Sequence, residues 1–117
     1  MIKAKIIGAC GFGGVGIVEL LRAHPEAETV TLVDVENRGA KLSNLFPHLQ
    51  GFCDLTIVAP DEPAASVNAD VVFTATPDRV GMQLAETEIQ RGAKVIDYSG
   101  DFRFPDEQAY ADYARRI

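Results

Sequence analysis

The feature of this sequence that most restricts its fold is a glycine-rich segment placed directly after a short apolar run. The apolar run is Ile2–Gly8, and the segment from Gly8 to Gly16 reads Gly-Ala-Cys-Gly-Phe-Gly-Gly-Val-Gly. Helical spacing follows, because Ile17, Leu20 and Leu21 fall at i, i+3 and i+4. A strand, a glycine turn and an amphipathic helix in direct succession are typical of a backbone turn that receives a phosphate group.

The same alternation continues along the chain and predicts the fold class. Five runs rich in Val and Ile are predicted strands: Ile2–Gly8, Thr29–Asp34, Leu55–Val58, Val71–Thr76 and Ala93–Tyr98. Helices are predicted over Gly13 to Ala23, over Val80 to Arg91 with the stripe Met82, Ala85 and Ile89, and from Pro105 to Ile117 with Pro at the first position. Glu36 to Gly51 is predicted to be loop with one short helical turn.

Apolar residues at consecutive positions, as at Val71-Val72-Phe73 and Val95-Ile96, predict strands covered on both faces and therefore a parallel sheet. Strand, helix and strand twice over predict an α/β, Rossmann-like, doubly wound parallel sheet. With 117 residues, the chain is expected to be one such domain over residues 1–117.

The glycines fit two motif registers. Gly8, Gly11 and Gly14 give G-x-x-G-x-x-G, and Gly11, Gly13 and Gly16 give G-x-G-x-x-G. We favour the first register, because the second starts its helix too late after the strand. In either register, glycines let a diphosphate approach the backbone and the amide groups of the helix N-terminus.

Signals for the type of dinucleotide conflict. Asp34, at the end of the second predicted strand, stands where a carboxylate binds the adenosine ribose of NAD and repels the 2′-phosphate of NADP. Arg38 and Lys41 stand in the following loop, and their cations suit that phosphate. The residues themselves leave NAD and NADP open.

Composition excludes several other functions. Eleven Lys and Arg against 17 Asp and Glu give a net charge of −6, which disfavours nucleic acid as a partner. The apolar runs are far shorter than the roughly 20 residues of a membrane span. The two cysteines and two histidines lack ligand spacing, so no metal is expected. The low cysteine count and the absence of a signal peptide predict a cytoplasmic protein.

Three segments resemble the N-acetyl-γ-glutamyl-phosphate reductase family. Gly8–Gly14 is similar to its G-A-S-G-Y-T-G turn, with Cys10 and Gly13 in place of Ser and Thr, and Leu42–Leu49 is similar to L-S-E-V-F-P-H-L. Val95–Arg103 is close to V-I-D-L-S-A-D-F-R and is the most specific of the three. Asp34 departs from the family's small polar residue, and Asp78-Arg79 departs from its His-Gly pair.

This resemblance implies a reductase of arginine biosynthesis that uses NADPH and passes through a cysteine thioester, and a homo-oligomer when full length. The family's nucleophilic Cys and partner His lie beyond the position that matches Ile117, so we expect no catalytic residue here and no turnover by this chain alone. The expected cofactor-binding residues are Gly8, Gly11, Phe12, Gly13, Gly14, Asp34, Arg38, Thr76, Pro77 and Ser99. The substrate-binding, catalytic domain is expected to be missing from this sequence.

Other chemistry-bearing residues have simpler interpretations. Cys10 is expected to fill the small-residue place of the turn, and Cys53 to be a packing residue. We interpret His24 as a cap for the last carbonyls of the first helix, and His48 as a residue that orients a loop. After the fifth strand, Arg103 is expected to brace the loop by pairing with Asp101.

Alternatives to the reductase remain. A reductase of the homologous aminoadipyl or aspartyl phosphate shares the architecture, and a non-catalytic nucleotide-binding module would need only the glycine turn. A general NAD-dependent dehydrogenase of hydroxy acids accounts for Gly8 to Asp34 but not for Asp97 to Arg103.

Overall fold

A computed structural model describes residues 1–77, 79–99, 102 and 105–116 of the chain. The strands are β1 Ile2–Ile7, β2 Ala27–Val33, β3 Ile57–Val58, β4 Val71–Thr74 and β5 Lys94–Asp97. The α-helices are α1 Phe12–Arg22, α2 Leu42–Leu45, α3 Val80–Gln90 and α4 Glu107–Ala114, and 3₁₀ turns occupy Pro47–Leu49 and Pro63–Ser66.

The strands form one parallel sheet in the order β3-β2-β1-β4-β5. The chain moves outward from β1 through β2 to β3 and then returns to place β4 on the other side of β1. The strand order therefore reverses between β1 and β4, and a crevice opens there at the carboxyl ends of the strands. This confirms the predicted doubly wound α/β class.

Two hydrophobic clusters cover opposite faces of the sheet. Neighbouring residues of one strand alternate between them, as Ile6 and Ile7 do on β1. One cluster gathers α1, α2 and the segment around Leu49, and includes Leu32 and Ile57. The other packs Val33 and Val72 against the Ala65 turn and Leu84 of α3. This alternation explains why the inner strands have apolar residues at consecutive positions.

The predicted helix stripes are partly wrong. On α1, Ile17 is buried as expected, but Leu20 is 72% exposed and its place is taken by Val18. On α3, Ile89 is 58% exposed, and the buried positions are Gly81, Ala85 and Glu88. Both errors have the same cause: the sequence contains more apolar residues at helical spacing than the packed face of each helix uses.

The expectation that both faces of β5 are covered is also wrong. Ile96 is 46% exposed, because α1 packs over β1 and β2 and the cluster around α1 includes no residue of β5 among those described. On this side an open groove of about 1170 Å³ runs between α1 and β5, lined by Leu21, Phe73 and Ile96 among others.

Element ends differ from the predictions by a few residues. β2 starts at Ala27 and ends at Val33, so Asp34 lies just after the strand instead of inside it. β3 is shortened to two residues, and β4 ends at Thr74. Pro105 precedes α4 instead of opening it, because Asp106 is the N-cap and its carboxylate accepts a hydrogen bond from the amide of Ala109 at 2.7 Å.

Within the described residues, no helix has the length and apolar character that a transmembrane span requires.

Candidate dinucleotide site

The glycine turn joins β1 to α1, and two of its glycines are fixed by close backbone contacts. Gly8 has φ +88°, and a Cβ there would come closer than 3.0 Å to the carbonyl oxygen of Ala75 at the end of β4. A Cβ on Gly14 would come equally close to the carbonyl oxygen of Gly8. Gly16 has open space around its position. The close approaches therefore follow the register Gly8, Gly11 and Gly14.

The N-terminus of α1 is open toward solvent. Gly11 is its N-cap, and no side chain of the described residues caps this end or places an acidic group in its first turn. Phe12 is 95% exposed and Gly13 is also exposed. The first amide groups of a helix have no intrahelical acceptor and carry partial positive charge, so an anion can bind here directly to the backbone.

A crevice of about 490 Å³ lies beside this helix end, at the point where the strand order reverses. Its lining comes from the carboxyl ends of β1, β2 and β4 and from the start of α3. The main lining residues are Gly8, Cys10, Gly11, Asp34, Val35, Glu36, Pro60, Ala75, Thr76, Pro77, Val80 and Leu84. Five of the expected cofactor-binding residues are in this set: Gly8, Gly11, Asp34, Thr76 and Pro77.

Asp34 is bound to the glycine turn. Its Oδ2 accepts a hydrogen bond from the backbone amide of Cys10 at 2.9 Å, and its Oδ1 accepts one from the amide of Glu36 at 3.1 Å. The side chain of Asp34 thus links the end of β2 to Cys10 in the glycine turn. Sequence reasoning placed Asp34 at the site but did not find this link.

The thiol of Cys10 lies beside that carboxylate. Burial, followed by the negative charge of Asp34, raises the pKa of Cys10 from 9.0 to about 11. Cys53 is buried in the α1 cluster, and burial raises the pKa of its thiol as well. A nucleophilic cysteine needs a low pKa, so the raised pKa of each thiol agrees with the packing roles expected for Cys10 and Cys53.

Arg38 and Lys41 lie in a loop that turns toward β3. Asn37 has φ +59°, the amide of Gly39 donates to the carbonyl of Ile57 at 2.8 Å, and Lys41 forms an isolated antiparallel bridge with Thr56. Arg38 is exposed and is not among the described residues that line the crevice. The structure therefore brings Asp34, but not Arg38, to the wall of the crevice.

The ends of β4 and β5 are joined by a carboxylate that sequence reasoning did not single out. Thr74 donates to Asp97 Oδ1 at 2.5 Å, and Ser99 donates to Asp97 Oδ2. Gly81 of α3 packs on this carboxylate, since a Cβ there would come closer than 3.0 Å to Asp97 Oδ1. The only sequence signal for this cluster was a polar residue at the end of each of the two apolar runs.

Thr76 and Ser99 differ in their settings. The hydroxyl oxygen of Thr76 is buried at the crevice wall and, among the described residues, has no hydrogen-bond partner. Ser99 lies beside a second depression of about 440 Å³ between α3 and the segment after β5. The expected pair of Asp101 and Arg103 lies outside the described residues.

The two histidines have structural roles, one of which differs from its interpretation. His24 accepts a hydrogen bond at Nδ1 from the amide of Glu26 at 3.0 Å, so it supports the turn after α1 and does not cap the last carbonyls. His48 lies in the 3₁₀ turn Pro47–Leu49, and its Nε2 is 2.6 Å from Glu19 Oε1 of α1. The contact holds this turn against α1. This contact agrees with the expected orienting role of His48.

Comparison with known proteins places this geometry in a family. Residues 3–112 match the family described as semialdehyde dehydrogenase, NAD binding domain. The chain belongs to this family. Curated relatives named N-acetyl-gamma-glutamyl-phosphate reductase include one from Acidithiobacillus ferrooxidans, 41% identical over 97% of this chain and 33% of its own length. Another, from Methanosphaera stadtmanae, is 44% identical over 93% of this chain and 31% of its own.

Solved structures with the same fold include semialdehyde dehydrogenases. Aspartate semialdehyde dehydrogenase with NADP from Candida albicans superposes with a TM-score of 0.73 at 22% identity, over 92% of this chain and 32% of that one. A probable aspartate-semialdehyde dehydrogenase from Pseudomonas aeruginosa gives 0.69 at 25% identity, over 90% and 30%. The semialdehyde dehydrogenase domain described here therefore spans about a third of the length of these proteins.

Proposed function

We propose that residues 1–117 form the cofactor-binding domain of an NADPH-dependent N-acetyl-γ-glutamyl-phosphate reductase, which acts in arginine biosynthesis. The observation that carries the proposal is the open, glycine-capped N-terminus of α1 at the reversal of strand order. The names of the relatives that cover nearly all of this chain support the choice of substrate. A cytoplasmic location and homo-oligomerisation of the full-length enzyme are parts of the same proposal.

In this proposal the diphosphate of the dinucleotide lies against the amides of Phe12 and Gly13, where the uncapped helix end offers donors and partial positive charge. Gly8 and Gly14 let the turn pack closely on the end of β4 and on itself, and Gly11 adds no side chain at the N-cap. Asp34 and Arg38 flank the adenosine end, and Thr76, Pro77 and Ser99 lie toward the nicotinamide end. The bound dinucleotide supplies the hydride that reduces the acyl group.

The buried hydroxyl of Thr76 finds no partner among the described residues, which supports a polar ligand in the crevice, because buried polar groups in folded proteins nearly always have partners. A hydroxyl or amide of the nicotinamide half would provide one. Thr76 would then orient that half of the cofactor without taking part in bond making.

The acyl-transfer step needs a thiolate, and neither cysteine of this chain suits it. Cys53 is buried, and the raised pKa of Cys10 keeps its thiol protonated near neutral pH. The family resemblance implies a nucleophile outside this stretch of sequence. We therefore expect this polypeptide to bind NADPH and not to reduce the acyl phosphate by itself.

Gly13→Asp tests the proposed diphosphate seat. Space for the new side chain exists, since its Cβ would make only ordinary contacts with Ala75 and Tyr98 at 3.5 and 3.7 Å. An acidic group in the first turn of α1 stabilises the helix but repels a diphosphate there. NADPH binding, followed by nucleotide fluorescence, should weaken by about tenfold or more while Tm holds or rises. Gly13→Ala is the uncharged control, and unchanged affinity in Gly13→Asp would contradict the proposal.

A second candidate is favoured by the likeness to aspartate-semialdehyde dehydrogenases at 25% identity. In that case the full-length enzyme would reduce aspartyl phosphate in preference to N-acetylglutamyl phosphate. Turnover of both acyl phosphates by the full-length enzyme separates the two, and turnover of neither would favour a non-catalytic nucleotide-binding module.

A further inference from the structure

We propose that the adenosine end of this crevice accepts NADH as well as NADPH, and that Asp34 and Glu36 set the balance between them. The inference rests on the proposed function, because it requires the dinucleotide to lie in the crevice beside the glycine turn. It deepens that function by naming the residues that read the 2′-position of the ribose.

Asp34 has a fixed orientation. The amides of Cys10 and Glu36 each donate to a different oxygen of its carboxylate, at 2.9 and 3.1 Å. Each oxygen of an ionised carboxylate has two acceptor positions, so one remains on each for a ligand hydroxyl. The 2′-hydroxyl of NADH can donate to such an oxygen, whereas the doubly charged 2′-phosphate of NADPH is repelled by it.

The charged side chains that line the crevice are acidic. Asp34 and Glu36 both line the crevice, and the lining residues named above contain no Lys or Arg. The raised pKa of the Cys10 thiol, to which both carboxylates contribute after burial, reports the same negative potential at this point of the turn. A 2′-hydroxyl needs no positive partner, so this wall suits NADH.

NADPH is still accommodated, because the cations lie in the adjoining loop. Arg38 and Lys41 are both exposed, and Arg38 follows Asn37 in a turn next to the crevice. Their long side chains can reach a phosphate from the solvent side while Asp34 and Glu36 oppose it from the wall. The two cofactors therefore bind with comparable affinity.

Asp34 has two roles that an experiment must separate. Its loss removes a negative charge, but it also frees the amide of Cys10 in the glycine turn. A loosened turn weakens NADH and NADPH equally, since both carry the same diphosphate. Only the ratio of the two dissociation constants reports the charge next to the 2′-position.

The test measures Kd for NADH and for NADPH with this chain and its variants at fixed, low salt, where charge effects are largest. The unmodified chain should bind the two within about tenfold of each other. Asp34→Ser should shift the ratio toward NADPH by about tenfold, and Glu36→Gln should shift it in the same direction by a smaller factor. Glu28→Gln removes the same charge from the amino end of β2 and should leave the ratio unchanged.

Two results would overturn the inference: NADH binding more than about a hundredfold weaker than NADPH in the unmodified chain, or a ratio that Asp34→Ser does not move. Equal weakening of both nucleotides in Asp34→Ser would leave Asp34 as a positioning residue of the turn only. Failure of both nucleotides to bind the unmodified chain would instead overturn the proposed function, and this inference with it.

Discussion

At the scale of single residues, the glycines of the turn are not equivalent. Gly8 combines a left-handed backbone with a backbone oxygen of β4 in the place of a side chain, and Gly14 packs on the turn itself. Gly16 lies in the middle of α1 with free space around it. Their spacing alone supported two motif registers, and only the packing distinguishes them.

Replacing Gly8 by Ala should therefore destabilise the domain by about 3 kcal/mol, from left-handed strain together with the clash against Ala75. Gly16→Ala should stabilise it by about 0.5–1 kcal/mol, because alanine favours the helix and nothing opposes its methyl group. Urea unfolding measures both. Equal effects of the two substitutions would contradict the assigned register.

The Cys10 thiol gives a prediction on pH. Its pKa of about 11 in the folded protein, against 9.0 for a free thiol, makes alkylation at about pH 8 roughly a hundredfold slower than in urea-unfolded chain. The rate should keep rising past pH 9 toward pH 11, and Asp34→Ser should bring that rise to lower pH. Peptide mapping separates Cys10 from Cys53. A rate that levels off near pH 9 would show that neither burial nor the carboxylate raises the pKa of the thiol.

The same shift has a consequence for stability. Because the folded pKa lies above the unfolded one, the neutral thiol is favoured by folding, and its contribution is fully present below about pH 9. That contribution is lost as the pH rises from about 9 to about 11. Cys10→Ser should remove part of the decline in the free energy of unfolding at alkaline pH. An unchanged decline would contradict a stabilising contribution from the neutral Cys10 thiol.

At the scale of elements, a buried ion pair joins β1 to α3. Lys5 is fully buried, and its Nζ donates to Glu88 Oε1 at 2.7 Å and to the carbonyl of Ala65 at 2.8 Å. Glu88 also pairs with Arg91 at 3.1 Å. These contacts fix α3 and the 3₁₀ turn around Ala65 to the central strand. Sequence periodicity gave no indication of them, because a lysine between apolar residues reads as a solvent-facing position.

Lys5→Met should destabilise the domain by about 3 kcal/mol, since Glu88 keeps its charge in a buried place with one partner fewer. The double variant Lys5→Met with Glu88→Leu should recover about 1 kcal/mol or more, because the uncompensated carboxylate is then removed. Denaturant unfolding of the single and double variants completes the cycle. A double variant that is less stable than Lys5→Met would show that Glu88 stabilises the domain through contacts other than Lys5, such as its pair with Arg91.

Elements could be predicted from the sequence better than their packing. All five strands and the long helices lie where apolar runs and spacing placed them, because both signals depend on local backbone geometry. Which residues of a helix are buried depends on its rotation against the sheet, and Leu20 and Ile89 show that apolar spacing does not fix it. Likewise, the expected burial of Ile96 was wrong, because the hydrophobic cluster around α1 does not extend to β5.

At the scale of the whole molecule, the site is created by topology. Gly8, Asp34 and Thr76 are far apart in the sequence and meet only because β2 and β4 pair with opposite edges of β1. The sequence identified them by their place after strands, since parallel strands bring their carboxyl ends to one edge. It could not identify the Asp34 link to Cys10 or the cluster around Asp97, which depend on side-chain positions across that edge.

The most direct test of the central claim is a crystal structure of this chain with NADPH. We predict the diphosphate at the N-terminus of α1, within hydrogen-bond distance of the amides of Phe12 and Gly13, with Gly8 and Gly14 beneath it. Diphosphate found in the groove between α1 and β5, or in the depression beside Ser99, would contradict the account.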